Sequence, residues 1–182
     1  IYLIYGSGLE DKKNIYEVLK TNLTINCNTL DLLRKSGDLS SLKEMIESSN
    51  LRFPGVTKTK SLAARLLSKP LHSYGGFNIR FETQYKEKYY TEQYIPGDTY
   101  SASFFINDNN FMFLGFNRLL LLKDYKAHPF IHAGAIMCND IKDSQKIIRS
   151  MDRLSRKLEM KGYNSIDFKI HKKQIFILDI NP

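Results

Sequence analysis

Apolar and polar positions change their period along this chain, and the changes mark out its elements. Ile1-Tyr2-Leu3-Ile4-Tyr5 is unbroken apolar sequence that stops at Gly6-Ser7-Gly8, the signature of a short buried strand and a tight turn. Asp11 to Leu19 then has helical character, giving a strand, a glycine turn and a helix. Asp38 is a candidate N-cap for a helix reaching about Ser49, with Leu39, Leu42 and Ile46 as its inner stripe and Pro54 beyond its end. From Leu66 the texture turns to short β-type segments: 66–69, 77–81, 89–95, 100–106, 111–122 and 130–137. Gly75-Gly76, Pro96-Gly97-Asp98, Asn107 to Asn110 and Asp124 to Pro129 separate them, and several of these are turn sequences suited to antiparallel neighbours. A second helix is expected over about 141–160. Its apolar face is Ile147, Ile148, Met151, Leu154 and Leu158, with Lys146, Arg149, Arg153, Arg156 and Lys157 on the other face. The chain closes as a hairpin: Ser165 to Ile170, a turn at His171 to Gln174, then Ile175 to Ile180.

With 182 residues and 42% hydrophobic content, this string of elements describes one globular domain or two small ones. No window approaches the roughly 18 apolar residues of a membrane span, and no secretory leader is visible, so the expected location is cytoplasmic, with no membrane partner. Cys27 and Cys138 are far apart and form neither a disulfide framework nor a metal spacing. The net charge of +8 is scattered, with no basic run longer than pairs such as Lys12-Lys13. Such charge suits a triphosphate cleft and gives little support to a nucleic-acid surface. The chain begins with Ile1 and stops at Pro182 after an apolar run, so both ends read as cut from something longer. Gly6-Ser7-Gly8 falls short of a dinucleotide fingerprint and reads as an ordinary strand-to-helix turn.

Three groups of residues could carry chemistry. In the closing hairpin, Asp179 and Asn181 are two apart and share a face, and the fold at 171–174 places Asp167 about opposite Asp179. Oxygen donors without His or Cys suit Mg²⁺ completed by substrate phosphates; outward polar residues of an alternating strand would give the same pattern. Next, Lys69 leaves a strand into Pro70-Leu71-His72-Ser73-Tyr74-Gly75-Gly76, where a point charge and backbone amides could close on phosphate, or a plain hairpin loop could form. Last, Glu92-Gln93-Tyr94-Ile95-Pro96-Gly97-Asp98-Thr99 offers an extended edge to a flat ring, then an acid or hydroxyl to a ribose.

In this order the three resemble the ATP-grasp superfamily, with Lys and a small-residue loop, a Glu-x-x-Ile-x-Gly segment, and a terminal Asp…Asp-x-Asn in which Asp179 replaces the usual Glu. The resemblance covers about Asn28 to Pro182 and implies an α+β fold with two α+β subdomains gripping the nucleotide. Residues 1–28 would be the remnant of a preceding α/β domain, 29–90 the first subdomain and 91–182 the second. The opening residues also look like a methanopterin- or methanofuran-pathway branch of such ligases. The resemblance implies ATP and Mg²⁺ (or Mn²⁺) as cofactors. It places Lys69 at the α/β-phosphates, Ser73, Tyr74, Gly75 and Gly76 in a phosphate lid, and Lys43 as a helix lysine on phosphate. Glu92, Gln93 and Ile95 would hold adenine, Asp98 or Thr99 the ribose, and Asp167, Asp179 and Asn181 the metal.

Two departures stand out. Asn78 replaces the third loop glycine, and Ser165 stands where many relatives carry an arginine before the first metal carboxylate; Arg118 is the candidate substitute. The implied function is a ligase that activates a small carboxylate as an acyl phosphate and couples it to an amine or another nucleophile, with no nucleic-acid partner and a homodimer among the assemblies it allows. Nucleotide binding without turnover, and a basic nucleic-acid-binding protein, are the alternatives.

Overall fold

The computed structural model describes residues 2–3, 12–55, 65–70, 75–81, 89–108, 110–122, 125 and 128–182. At the N-terminal end, β1 (Tyr2–Leu3) pairs in parallel with β2 (Thr24–Ile25), and α1 (Lys13–Asn22) lies between them in sequence. Gly6-Ser7-Gly8 lies outside the described residues.

The expected helix behind Asp38 forms in two pieces. The Asp38 carboxylate accepts from the Ser40 N–H at 3.1 Å, as an N-cap should, but the turn it starts is a 3-10 helix (Leu39–Leu42) before α3 (Lys43–Glu47). Before it stands α2 (Leu30–Ser36), whose start is capped by Thr29, its hydroxyl accepting from the Leu32 N–H at 3.2 Å.

The β-type segments become two antiparallel sheets. β3 (Leu66–Pro70) lies between β4 (Arg80–Phe81) and β5 (Tyr89–Gln93) in the smaller one. The strand expected from Phe77 is cut back to two residues because Gly75, Gly76 and Asn78 all have positive φ and hold 75–78 in a turn. The larger sheet uses β6 (Thr99–Asn107), β7 (Asn110–Leu121), β8 (His132–Cys138), β9 (Gly162–His171) and β10 (Gln174–Asn181), in the order β10-β9-β6-β7-β8. Lys172 and Lys173 join β9 to β10, both with positive φ, as a two-residue primed hairpin turn requires.

The core lies on one face of this larger sheet. α4 (Ser144–Lys157) and the following turn press Ile147, Met151, Leu154 and Leu158 onto Phe104, Phe116, Ile166, Phe168 and Ile177, and Leu39, Leu42 and Ile46 join the same cluster. Each fully buried side chain of this size contributes roughly 1.5–3 kcal/mol. The β10 edge is covered by Arg52, whose N–H donates to Ile175 at 2.8 Å and whose carbonyl accepts from Ile177 at 2.9 Å. Asn28 ties the N-terminal segment to β9: its amide donates to Asn164 at 2.7 Å within a buried pair, and its oxygen accepts from the Lys161 N–H at 2.8 Å. With one face given to this core, the other is left for a site.

Candidate active site

The free face of the larger sheet and the smaller sheet enclose a cavity of about 420 Å³. Strand register sets its floor. Asp179, Asp167, Ser101 and Asn117 stand side by side across β10, β9, β6 and β7, and Asn181, Ser165 and Ser103 form the next row. All of them line the cavity.

Simple alternation would not have produced this arrangement. Ile175 and Ile177 of β10 are core residues, so a regular strand would send Asp179 and Asn181 into the core as well. The ladder instead slips between Ile177, paired with Phe168, and Asp179, paired with Asp167. Leu178 is the extra residue of this bulge, and it swaps the faces: Asp179 and Asn181 turn to the cavity while Ile180 is buried.

Lys69 ties the two sheets together across the cavity. Its Nζ donates to the Leu178 carbonyl at 3.0 Å and pairs with Glu92 Oε1 at 3.1 Å. Burial disfavours the ammonium, but the charge of Glu92, with Tyr90 and Asp179, outweighs it and raises the Lys69 pKa. Glu92 is 1% exposed and its own pKa is pushed up by burial, opposed by Lys69. We hold the pair to be ionised, because its members share a direct contact and removing either would strand a buried charge at a cost of about 3–5 kcal/mol. Burial also lifts Tyr90, to about 12. Glu92 Oε2 has no partner.

Burial also disfavours the charges of the acidic pair on the floor. Burial pushes Asp179 up to about 7, and the neighbouring charge of Asp167 adds to the shift. Asp167 is also raised by burial, against hydrogen bonds from Ser101 and Asn181 and the charges of His132 and Lys69. Two paired carboxylates beside Lys69, with a further unpartnered carboxylate oxygen in the same cavity, fit a divalent cation and a polar ligand. No group of three or more His, Cys, Asp or Glu side chains is gathered for a metal among the described residues. The donor set is therefore two carboxylates and the Asn181 amide, and phosphate oxygens would have to complete it.

At the cavity rim, Gly75 and Gly76 meet the segment before β8. The His132 N–H donates to the Gly75 carbonyl at 3.0 Å, and a Cβ on Gly76 would lie 1.9 Å from the Phe130 oxygen. At the other end, Ile95 is buried and lines the cavity with Glu92, Tyr94 and Thr99.

Not every expected site residue arrives there. Ser73 and Tyr74 lie outside the described residues. Lys43 is exposed on α3 and does not line the cavity. Gln93 and Asp98 are exposed and also stay out of the lining; Gln93 faces away because its N–H is bonded to Gly55 at 2.9 Å, and Thr99, next to Asp98, takes the inward position. Arg118 is turned away by strand alternation: Asn117 and Leu119 of β7 line the cavity, whereas Arg118 is exposed on the opposite face. In turn, the structure adds Ser101, His132 and Lys169, which the sequence did not single out. Lys169 is 5% exposed and donates to the Ile95 carbonyl at 2.9 Å. Lys169 lies two residues from Asp167 on β9, so strand alternation puts the two on one face, and that spacing is the signal that could have found it.

This geometry agrees with comparison to known proteins. Residues 36–182 match the ATP-grasp domain family. The chain belongs to that family. An uncharacterized protein of Methanocaldococcus jannaschii is 26% identical over 126 residues, spanning 63% of this chain and 29% of the relative. Among solved structures, an ATP-grasp superfamily protein from Archaeoglobus fulgidus superimposes with a TM-score of 0.74 at 16% identity, covering 92% of this chain and 52% of that one. Biotin carboxylase from Campylobacter jejuni, in a β-γ-ATP complex, gives 0.71 at 14% identity over 100% of this chain and 48% of its own. D-alanine–D-alanine ligase from Bacillus anthracis gives 0.63 at 16% identity, covering 92% and 63%. The chain thus spans about half the length of the structures it resembles. The ATP-grasp fold is mixed α and β, as the sequence implied, and the family's cofactors are ATP and Mg²⁺ or Mn²⁺.

Proposed function

We propose that this ATP-grasp domain forms the Mg·ATP site of a ligase that activates a small carboxylate as its acyl phosphate and couples it to an amine or another nucleophile such as a thiol. The observation that carries this reading is the pairing of Asp167 with Asp179 across one cavity from the Lys69–Glu92 ion pair. Asp167, Asp179 and Asn181 would hold the metal, which supplies charge neutralisation at the transferring phosphoryl group. Lys69 would donate to phosphate oxygens, exchanging its bond to Leu178 for one to the ligand. Gly75 and Gly76 would present backbone close to the phosphates, Glu92 and Ile95 would hold the base, and Thr99 the ribose. Positioning and charge placement are all that phosphoryl transfer asks of a protein.

We assign residues 1–28 to the end of a preceding α/β domain, 29–90 to the first ATP-grasp subdomain and 91–182 to the second. The smaller sheet runs on through β5 to Gln93, three residues past the second boundary. The archaeal relative is in keeping with a methanopterin-type branch. Nucleotide binding without turnover is the second reading, favoured by Ser165 at the expected arginine position and by the outward Arg118.

One assay separates the two. Phosphate release from Mg·ATP by the full-length protein, over a panel of carboxylate–amine pairs, should rise well above background for at least one pair and vanish in Asp179→Ala. Silence across the panel with nucleotide binding intact would favour the second reading, and release that persists in Asp179→Ala would remove the proposed metal set.

A further inference from the structure

Resting on the nucleotide site proposed above, we propose that Lys169 sets the base specificity of the pocket by occupying the Ile95 carbonyl, leaving an edge that satisfies adenine and not guanine.

The edge in question is Glu92 to Ile95, where the smaller sheet ends beside the cavity. Two of its backbone donors are spent outward: Gln93 N–H bonds to Gly55 at 2.9 Å and Tyr94 N–H to Arg65 at 2.8 Å. Glu92 and Ile95 both line the cavity, and the Ile95 carbonyl is reached from its floor by Lys169. Glu92 Oε1 is paired with Lys69 at 3.1 Å, and Oε2 is a buried acceptor without a partner. The Ile95 carbonyl would be a second acceptor, but Lys169 Nζ donates to it at 2.9 Å from the floor of the cavity. The ammonium is held there by more than that one bond, since it also lies 4.9 Å from the Tyr94 ring.

The two purines differ in what they ask of such an edge. On its pairing edge adenine offers one donor, the 6-amino group, and one acceptor, N1. Guanine offers two donors, N1–H and the 2-amino group, and the O6 acceptor. One free acceptor satisfies adenine's single donor, whereas guanine would bury a donor without a partner. A buried polar group left unpaired costs about 1–3 kcal/mol. Lys169 creates this difference by removing an acceptor from the edge, while its methylene stem gives the base an apolar floor. It is a positioning residue, acting through Ile95.

The test uses the full-length protein and titration calorimetry with Mg·ATP and Mg·GTP. Wild type should prefer ATP. Lys169→Met should raise the affinity for GTP relative to ATP by about tenfold or more, and Lys169→Arg, which keeps a donor at Ile95, should retain the wild-type ratio. Equal weakening of both nucleotides in Lys169→Met, or an unchanged ratio, would overturn the role. A second measurement needs no variant: the triphosphate of 2,6-diaminopurine adds only the 2-amino donor to adenine, and wild type should bind it no more tightly than ATP. A tenfold gain there would show the Ile95 carbonyl to be available and sink the proposal even if Lys169→Met does not fold. If wild type binds no nucleotide, the site assignment fails with it; ATP binding with an unshifted ratio removes the Lys169 role alone.

Discussion

Asp179 combines a cost of burial with a clear purpose in the cavity. Its folded pKa near 7 lies above the ordinary value of 3.8, so the folded chain holds a proton there more tightly than the unfolded chain does. Stability from this group is complete below about pH 4 and is lost as the pH rises towards 7. Without metal, denaturant unfolding should therefore show a falling midpoint over that interval. Asp179→Asn should flatten the fall and leave the chain at least as stable near pH 8, while Mg²⁺ should restore stability to wild type alone. A steeper fall in the variant would contradict the assigned cause. At this scale the sequence was legible where chemistry sits in a spacing, as in Asp167 and Asp179-x-Asn181. It was silent on partners brought in from other strands. Lys169 shares the Asp167 face by its two-residue spacing, but only the fold sets the Ile95 carbonyl beside it, and Arg118 reads as available until alternation on β7 turns it away.

Among the elements, long periodic segments were readable and short or strained ones were not. α4 and the β9–β10 hairpin follow directly from their apolar spacing. α2 escaped because seven residues give barely two turns of periodicity, although Thr29 marks its start. The Lys172-Lys173 turn lacks the Asn and Gly that usually announce positive φ, and tertiary pairing imposes that geometry. The glycine turn over 75–78 yields a prediction at this scale. Gly76 has φ +77 and no room for a Cβ beside the Phe130 carbonyl, which is backbone and cannot swing aside. Gly76→Ala should therefore weaken Mg·ATP binding at least tenfold while global unfolding shifts by about 1–3 kcal/mol or less, because the strain is local to the rim. Gly75→Ala, with open space around its Cβ, should do less damage. Equal effects at the two positions would deny the Phe130 contact its role.

For the whole molecule, the larger sheet divides the labour between its faces, one sealed by helices and one open to the cavity. No helix among the described residues is long and apolar enough to cross a membrane. The net charge of +8 favours a polyanionic ligand without naming one. Binding to the folded state alone must stabilise it, by about 2.7 kcal/mol at a hundredfold excess over Kd. For a chain of this size that corresponds to a rise in Tm of roughly 5–10 °C with Mg·ATP. Scanning calorimetry should find that rise with metal and nucleotide together, and no more than a small part of it with either alone; no shift would contradict the fold's assigned ligand. The bulge at Leu178 has a consequence for comparing such chains. It works as a spacer that absorbs one residue of chain without disturbing either face. Deleting Leu178 would place Asp179 directly after Ile177, restore a regular ladder and keep Asp179 and Asn181 on the cavity side, whereas a ladder that kept Leu178 without the slip would send both into the core and Ile180 out of it. Alignments of related chains should therefore be phased on this bulge, and a one-residue gap at position 178 needs no compensating gap before the end of the strand.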